Sequence, residues 1–271
     1  MRHLVLCRAD EYNTITPELR DDLVAMLEAA DDDHAVRIVL LRAEGPAFCS
    51  GYGLGWSTAA QATEEGRERV WDSMADLRMI GRFAEAFARL HTISKPTIAA
   101  VHGWCIAGGT DLVLNADLIV SGESARFGYP PARVWGIPEA PWLWVARLGL
   151  EQAKRYLLTG DEIPADEAAR LGLVLECVPD AELLDRADAL AQRMALLPRN
   201  QLQMLKLVCN EVAAQMYRPN ASRLLGTVFD GVSRHTQEGL DFVARAQDAG
   251  FRQAVRERDD PFGDYGSRPK P

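Results

Sequence analysis

The chain has 271 residues, 48% of them hydrophobic and 25% charged, which suits one large globular domain or a core domain with an appendage. A net charge of −9 disfavours nucleic acid or an anionic membrane surface as the main partner. Five scattered cysteines without a CxxC pair, dispersed histidines, no apolar run near the ~20 residues of a membrane span and no signal-peptide core point to a soluble cytoplasmic protein with free thiols and no metal site.

In chain order, His3 to Cys7 reads as a strand, and Thr16-Pro17-Glu18 as a helix start, with Thr16 as N-cap and Pro17 in the first helical position. Leu19, Leu23, Met26, Leu27 and Ala30 share one helical face, and Asp31-Asp32-Asp33 is expected to be a solvated turn. VRIVLL (Val36 to Leu41) is a strand buried on both faces, and it leads into a glycine loop, Pro46 to Gly53. Residues 54–64 lack periodicity and suit a ligand-covering lid or a plain surface connection. From Glu64 to about 93 the spacing of Trp71, Met74, Leu77, Ile80, Phe83, Phe87 and Leu90 is helical.

A second passage of the same kind follows. Thr97 to Val101 is a buried strand that breaks at His102-Gly103, and Ala107-Gly108-Gly109 opens a helix through Asp111-Leu-Val-Leu. The unpaired N–H groups and positive dipole end of such a helix suit stabilisation of an anion. Strand, glycine turn and helix occurring twice suggest stacked ββα turns. Beyond them lie strands at Leu118–Val120 and Ala125–Gly128, an extended turn at Pro130-Pro131, and helices at Trp142–Leu148, Glu151–Leu158, Asp166–Leu171 and Ala181–Leu196. From Pro198 only helices are expected (201–216, 221–234, 237–248), ending in an exposed tail, RERDDPFGDYGSRPKP.

These blocks, in this order, resemble the crotonase superfamily, the enoyl-CoA hydratase/isomerase family. The match rests on TPELRDDL, VLLRAEGPAFCSGYGL, KPTIAAVHGWCIAGGTDLVLNADLIV, ARFGYPPARVWGIPE and AKRYLLTGDEIPADEAARLGLV. The resemblance implies an α/β fold: a spiral of ββα turns over 1–197, then a helical region, 198–271, through which copies trimerise, often as dimers of trimers. It implies an acyl-CoA substrate, coenzyme A being part of that substrate and no separate cofactor being needed. The thioester oxygen would be held by the backbone N–H groups of Tyr52 and Gly108. Phe48, Ser50 and Gly51 match the segment that holds the adenine end of CoA, and Arg245 lies near a basic residue that meets the CoA phosphates in some relatives.

The departures bear on the reaction. Hydratases of this family use two glutamates; the first position here is Asp111, and the second is taken by Pro131, which cannot move a proton. Glu139, eight residues on, matches the catalytic acid of dienoyl-CoA isomerases, hydroxyacyl-CoA hydrolases and aromatic acyl-CoA dehalogenases in this superfamily. Asp111 and Glu139 are therefore the candidate acid/base pair, with Tyr129 and Arg133 near enough to tune it. Hydration or isomerisation of an enoyl-CoA is the leading expectation. Hydrolysis or dienoyl-CoA isomerisation through Glu139, and acyl-CoA binding without turnover, are the alternatives. His102 suits a turn contact, Trp104, Trp135, Trp142 and Trp144 suit packing, and Cys49 and Cys105 have no evident His partner.

Overall fold

A computed structural model describes residues 1–53 and 72–265, so the lid expected at 54–64 and the helix start expected at Glu64 lie outside the described residues. Strands β1 (Arg2–Leu6), β2 (Val39–Ala43), β4 (Thr97–Val101), β6 (Leu118–Gly122) and β9 (Glu176–Val178) form one sheet in that order, every neighbouring pair parallel. Strands β3 (Ala47–Cys49), β5 (Trp104–Ile106), β7 (Arg126–Gly128) and β8 (Ile163–Pro164) form a second, parallel except for β7–β8. Consecutive strands thus go to different sheets: β2 then β3, β4 then β5, β6 then β7. From β2 to β7 each passage of the chain lays one strand in each sheet, with a helix further on, which is the expected spiral of ββα turns.

Side-chain alternation explains why the first sheet is apolar on both faces. Ile38, Leu40, Ile98, Ala100 and Val120 pack beneath helix α7 (Leu183–Met194) through Leu183, Ala187 and Ala191. Val39, Leu41, Ala99, Val101 and Ile119 point the other way, into the main core. Helix α1 (Pro17–Asp32) starts as expected, the Thr16 hydroxyl accepting from Leu19 N at 3.2 Å, and buries Leu23, Leu27 and Ala30; Met26 is exposed. Helix α2 (Ser73–Thr92), capped by Asp72, buries Ile80, Phe83, Phe87 and Leu90, each worth about 1.5–3 kcal/mol relative to exposure.

Helices α3 (Gly108–Leu114), α4 (Pro141–Leu148), α5 (Leu150–Thr159) and α6 (Ala165–Leu171) complete the spiral. Then come α8 (Arg199–Tyr217), α9 (Pro219–Ser233), α10 (Gln237–Ala249) and α11 (Phe251–Asp259). Helix α9 packs on α2 and α4, close enough at Gly226 that a Cβ there would meet Pro138 O at 2.4 Å. The helical region is therefore packed against the spiral at the segment that carries Glu139.

Several expectations are corrected. The second strand begins at Val39, three residues late, because its ladder starts where Arg2 and Thr97 provide partners. Asp31 and Asp33 are not merely solvated: Asp31 accepts from Ser94 N and Oγ at 2.9 and 2.6 Å, and Asp33 pairs with Arg2 at 2.9 Å. Pro130-Pro131 opens a 3-10 turn (Pro130–Arg133), since a fixed proline φ suits a first helical turn. The polar end is not an exposed tail through Tyr265. It continues α11 to Asp259 and docks on Arg133, whose guanidinium reaches Asp259 at 3.0 Å and Asp264 at 2.6 and 2.8 Å. The stretch 266–271 lies outside the described residues.

Candidate active site

Two backbone turns meet at the start of α3. After β3, Gly51 adopts φ +91°, open to glycine without strain. Ile15 N donates to Gly51 O at 2.9 Å and Gly53 N donates to Ile15 O at 3.0 Å. Tyr52 lies between those two bonds, so its own N–H and C=O face the opposite edge, as in any parallel pairing. After β5, Ala107 is held at φ +54°, ψ −125°, a conformation that costs a residue with a Cβ about 1–3 kcal/mol. It is fixed there by Ala107 N to Gly128 O at 2.9 Å and by the N–H groups of Thr110 and Asp111 returning to its carbonyl at 2.9 and 3.1 Å. The turns touch: a Cβ on Gly51 would lie 3.5 Å from Gly108 N, and a Cβ on Gly109 would strike Cys49 O at 2.3 Å.

The second turn faces a cavity of about 600 Å³. Tyr52, Gly53, Ala107 and Gly108 form one wall; Tyr129, Pro130, Pro131, Trp135 and Glu139 form another. Asp230 and Arg234 from α9, Phe242 from α10, and Phe251, Val255 and Arg258 from α11 close it. Ser50 lies on the wall as well. Phe48 does not; it is fully buried in the main core, with its N–H donated to His102 O at 3.0 Å.

Glu139 is 3% exposed. Its Oε1 accepts a hydrogen bond from the Tyr52 hydroxyl, and its Oε2 is buried without a hydrogen-bond partner. Burial, and then the charge of Asp111, push the Glu139 carboxyl well above the ordinary range; the Tyr52 hydrogen bond partly offsets this. Asp111 is 1% exposed and is not on the cavity wall. Burial raises its carboxyl strongly too. The backbone N–H groups of Glu139 and Ala140 favour its charged form without closing hydrogen bonds of ordinary geometry, and both Oδ atoms are buried and unpartnered. Asp111 thus lies against the backbone of Glu139 and Ala140, and its charge reaches the cavity residues Tyr52, Tyr129 and Glu139. Each of the two carboxyls is pushed toward its protonated form, chiefly by burial.

The other predicted residues fall into place by contact. His102 Nε2 meets Gly45 O at 2.7 Å, a turn contact. Trp144 is fully buried, Trp142 lies tilted against Tyr217 with ring centroids 6.2 Å apart, and Trp135 lies under the Arg234 guanidinium at 4.6 Å. Burial pushes the Cys49 thiol up to about 12 and Cys105 well above its ordinary value, so neither is a nucleophile at neutral pH. Arg245 is not on the cavity wall; its guanidinium is bound by Glu257 at 2.7 and 2.8 Å and by Asp248 at 3.1 Å. Arg133 acts as an anchor for the chain end, 1% exposed, and does not face Glu139. Among the described residues no cluster of His, Cys, Asp or Glu could hold a metal, and no helix is long and apolar enough to cross a membrane.

Three contributions were missed in the sequence. Asn13, at φ +52° and fully buried, pins the first loop by donating to Glu44 O and Ala47 O, both at 2.8 Å. Asp230 accepts from Ile137 N at 3.2 Å and from Arg234 Nε at 3.1 Å, so α9 holds the approach to Glu139. The Tyr52 side chain, and not only its backbone, enters the site. An Asn beside a turn was the one local signal available; the other two depend on long-range packing.

Comparison with known proteins agrees with this architecture. The family model described as enoyl-CoA hydratase/isomerase matches residues 3–253. A Dictyostelium discoideum Delta(3,5)-Delta(2,4)-dienoyl-CoA isomerase is 30% identical over 211 residues, covering 76% of this chain and 72% of that protein. The 2,3-dehydroadipyl-CoA hydratase of Escherichia coli K12 is 28% identical over 254 residues, 92% of this chain and 94% of its own. A crystal structure of an enoyl-CoA hydratase from Mycobacterium smegmatis superposes with a TM-score of 0.90 at 42% identity, covering 98% of this chain and 92% of that one. With its two abutting backbone turns, its spiral of ββα passages and a family match over nearly its whole length, the chain belongs to the enoyl-CoA hydratase/isomerase family of enzymes.

Proposed function

We propose that the protein is an enoyl-CoA isomerase in which Glu139 is the single proton carrier. The observation that carries this reading is the placement of carboxyls. Glu139 lines the cavity together with Tyr52 and Gly108, Asp111 is not on its lining, and Pro131, which cannot move a proton, lines it at the position where a second acid would serve hydration. In a 3-enoyl-CoA, ionised Glu139 takes a proton from Cα, and the electron pair spreads over the thioester carbonyl and the double bond. The resulting dienolate oxygen is held by the N–H groups of Tyr52 and Gly108. Glu139, whose acid proton can exchange with solvent between the two steps, then delivers a proton to Cγ, the double bond moves to C2–C3, and no water or other reactant is consumed. One carboxyl suffices for this transfer, whereas adding water needs a second group to activate it.

Ser50 and Gly51 are placed in this reading on the CoA side of the turn, and the cavity's aromatic wall takes the acyl group. Self-association is supported by apolar side chains left exposed on α8 and α9, among them Leu207, Val208, Met216, Leu225 and Phe229. The test is product analysis with 2-enoyl-, 3-enoyl- and dienoyl-CoAs. Double-bond migration by the wild type, reduced at least 100-fold in Glu139→Gln, supports the reading. Efficient hydration of 2-enoyl-CoA that Glu139→Gln leaves intact overturns it.

A further inference from the structure

The turn after β3 supplies a side chain as well as a backbone. Tyr52 sits edge-on to Phe83, ring centroids 5.3 Å apart, and parallel-displaced from Phe87 at 6.5 Å. Its ring also covers Gly108, where a Cβ would come within 2.7 Å of Tyr52 Cε2. These contacts leave the ring little room and aim the hydroxyl at Glu139 Oε1, to which it donates. Oε2 of the same carboxyl has no hydrogen-bond partner.

We propose that the Tyr52 side chain is the positioning residue for Glu139: its hydroxyl holds Oε1 and so fixes the carboxyl that takes and returns the substrate proton. This rests on Glu139 being the proton carrier. One residue then sets two positions at once, that of the thioester oxygen through its N–H and that of the base through its phenol. The separation between enolate oxygen and base is fixed within a single residue and not across the fold.

The charged and titratable groups facing Glu139 are Asp111 from α3, Tyr129 after β7, Asp230 and Arg234 from α9, and Tyr52 itself. Burial, Asp111 and Asp230 favour the protonated acid; Tyr52 and Arg234 favour the carboxylate. The phenol is raised well above its own ordinary value, mainly by burial, so it stays protonated and remains a donor throughout the working range. Loss of the hydroxyl alone therefore moves the ionisation of Glu139 upward.

The experiment is pH-difference infrared spectroscopy of the full chain, following the C=O band of the buried carboxylic acid and assigning it with Glu139→Gln. In Tyr52→Phe, which keeps the ring contacts, the ionisation midpoint is expected to rise by about one unit or more. Isomerase kcat/KM falls roughly tenfold at neutral pH and recovers as the pH is raised by the same interval. Site-specific 3-fluorotyrosine at position 52, a stronger donor, moves the midpoint down. An unmoved midpoint in both variants, with the band assigned to Glu139, overturns the proposal even if turnover is impaired, because packing alone would then be the role. Wild-type turnover in Glu139→Gln would instead overturn the isomerase reading on which it rests.

Discussion

Gly109→Ala probes the contact between the two turns directly. The added Cβ would lie 2.3 Å from Cys49 O and 3.0 Å from Cys49 C, so it meets backbone and not a side chain that can swing aside. Either β3 or the start of α3 must move by roughly 1 Å; α3 begins with one proposed oxyanion donor, Gly108, and β3 leads into the other, Tyr52. Overpacking of this kind costs about 1–3 kcal/mol, partly offset by at most ~1 kcal/mol of helix propensity. For a chain of this size Tm falls by only a few degrees, at roughly 2 °C per kcal/mol. Catalysis is affected far more, since a displacement of about 1 Å can cost ~100-fold and loss of one oxyanion donor ~100–1,000-fold in kcat. Gly81→Ala is the control: in the middle of α2 its Cβ would meet, among the described residues, only Thr227 Cγ2 at 4.0 Å. It is expected to raise Tm by about 2 °C and leave turnover unchanged. Melts followed by circular dichroism, with isomerase kcat/KM on the same preparations, give both quantities. A Gly109→Ala enzyme within threefold of wild type would refute the claim that the spacing of the turns sets the activity.

Other consequences are equally direct. Arg133→Met removes the guanidinium shared by Asp264 and the fully buried Asp259, which keeps Arg258 at 2.7 Å; losing these charged hydrogen bonds costs about 1.5–3 kcal/mol, so Tm drops by roughly 3–6 °C and the segment around Asp264 becomes accessible to limited proteolysis. Asp111→Asn removes the charge that raises the Glu139 carboxyl, so the acid limb of kcat/KM moves to lower pH and turnover stays within about tenfold of wild type; an upward shift, or a 100-fold loss, would make Asp111 a proton carrier itself. A thiol reagent at mildly alkaline pH is expected to label the exposed Cys7 and Cys209 quickly, and to reach Cys49 and Cys105 only on unfolding.

Local chemistry was legible in the sequence. Thr16-Pro17 marked a helix start because a hydroxyl cap and a fixed φ act within one turn, and TIAAV marked a buried strand because both its faces are apolar. The glycines at 51, 108 and 109 announced close backbone approaches, and the structure supplies the partners, Ala107, Tyr52 and Cys49. What failed to show is what depends on distant residues. RERDDPFGDYG looks solvated until Arg133, over a hundred positions earlier, is found buried among its aspartates. Asp111 reads as one half of an acid/base pair, but its contact with the backbone of 139–140 depends on packing that the sequence does not show. The helical region reads as an appendage, whereas Gly226 and Asp230 clamp the segment before Glu139.

The central claim is that one carboxyl moves the proton at Cα. Exchange of that proton with solvent, followed by NMR on an enoyl-CoA in heavy water, reads this step without reference to the final product. The wild type is expected to exchange it, Glu139→Gln to do so at least 100-fold more slowly, and Asp111→Asn to retain at least a tenth of the rate. Exchange at the wild-type rate in Glu139→Gln would contradict the assignment of Glu139 as the proton carrier.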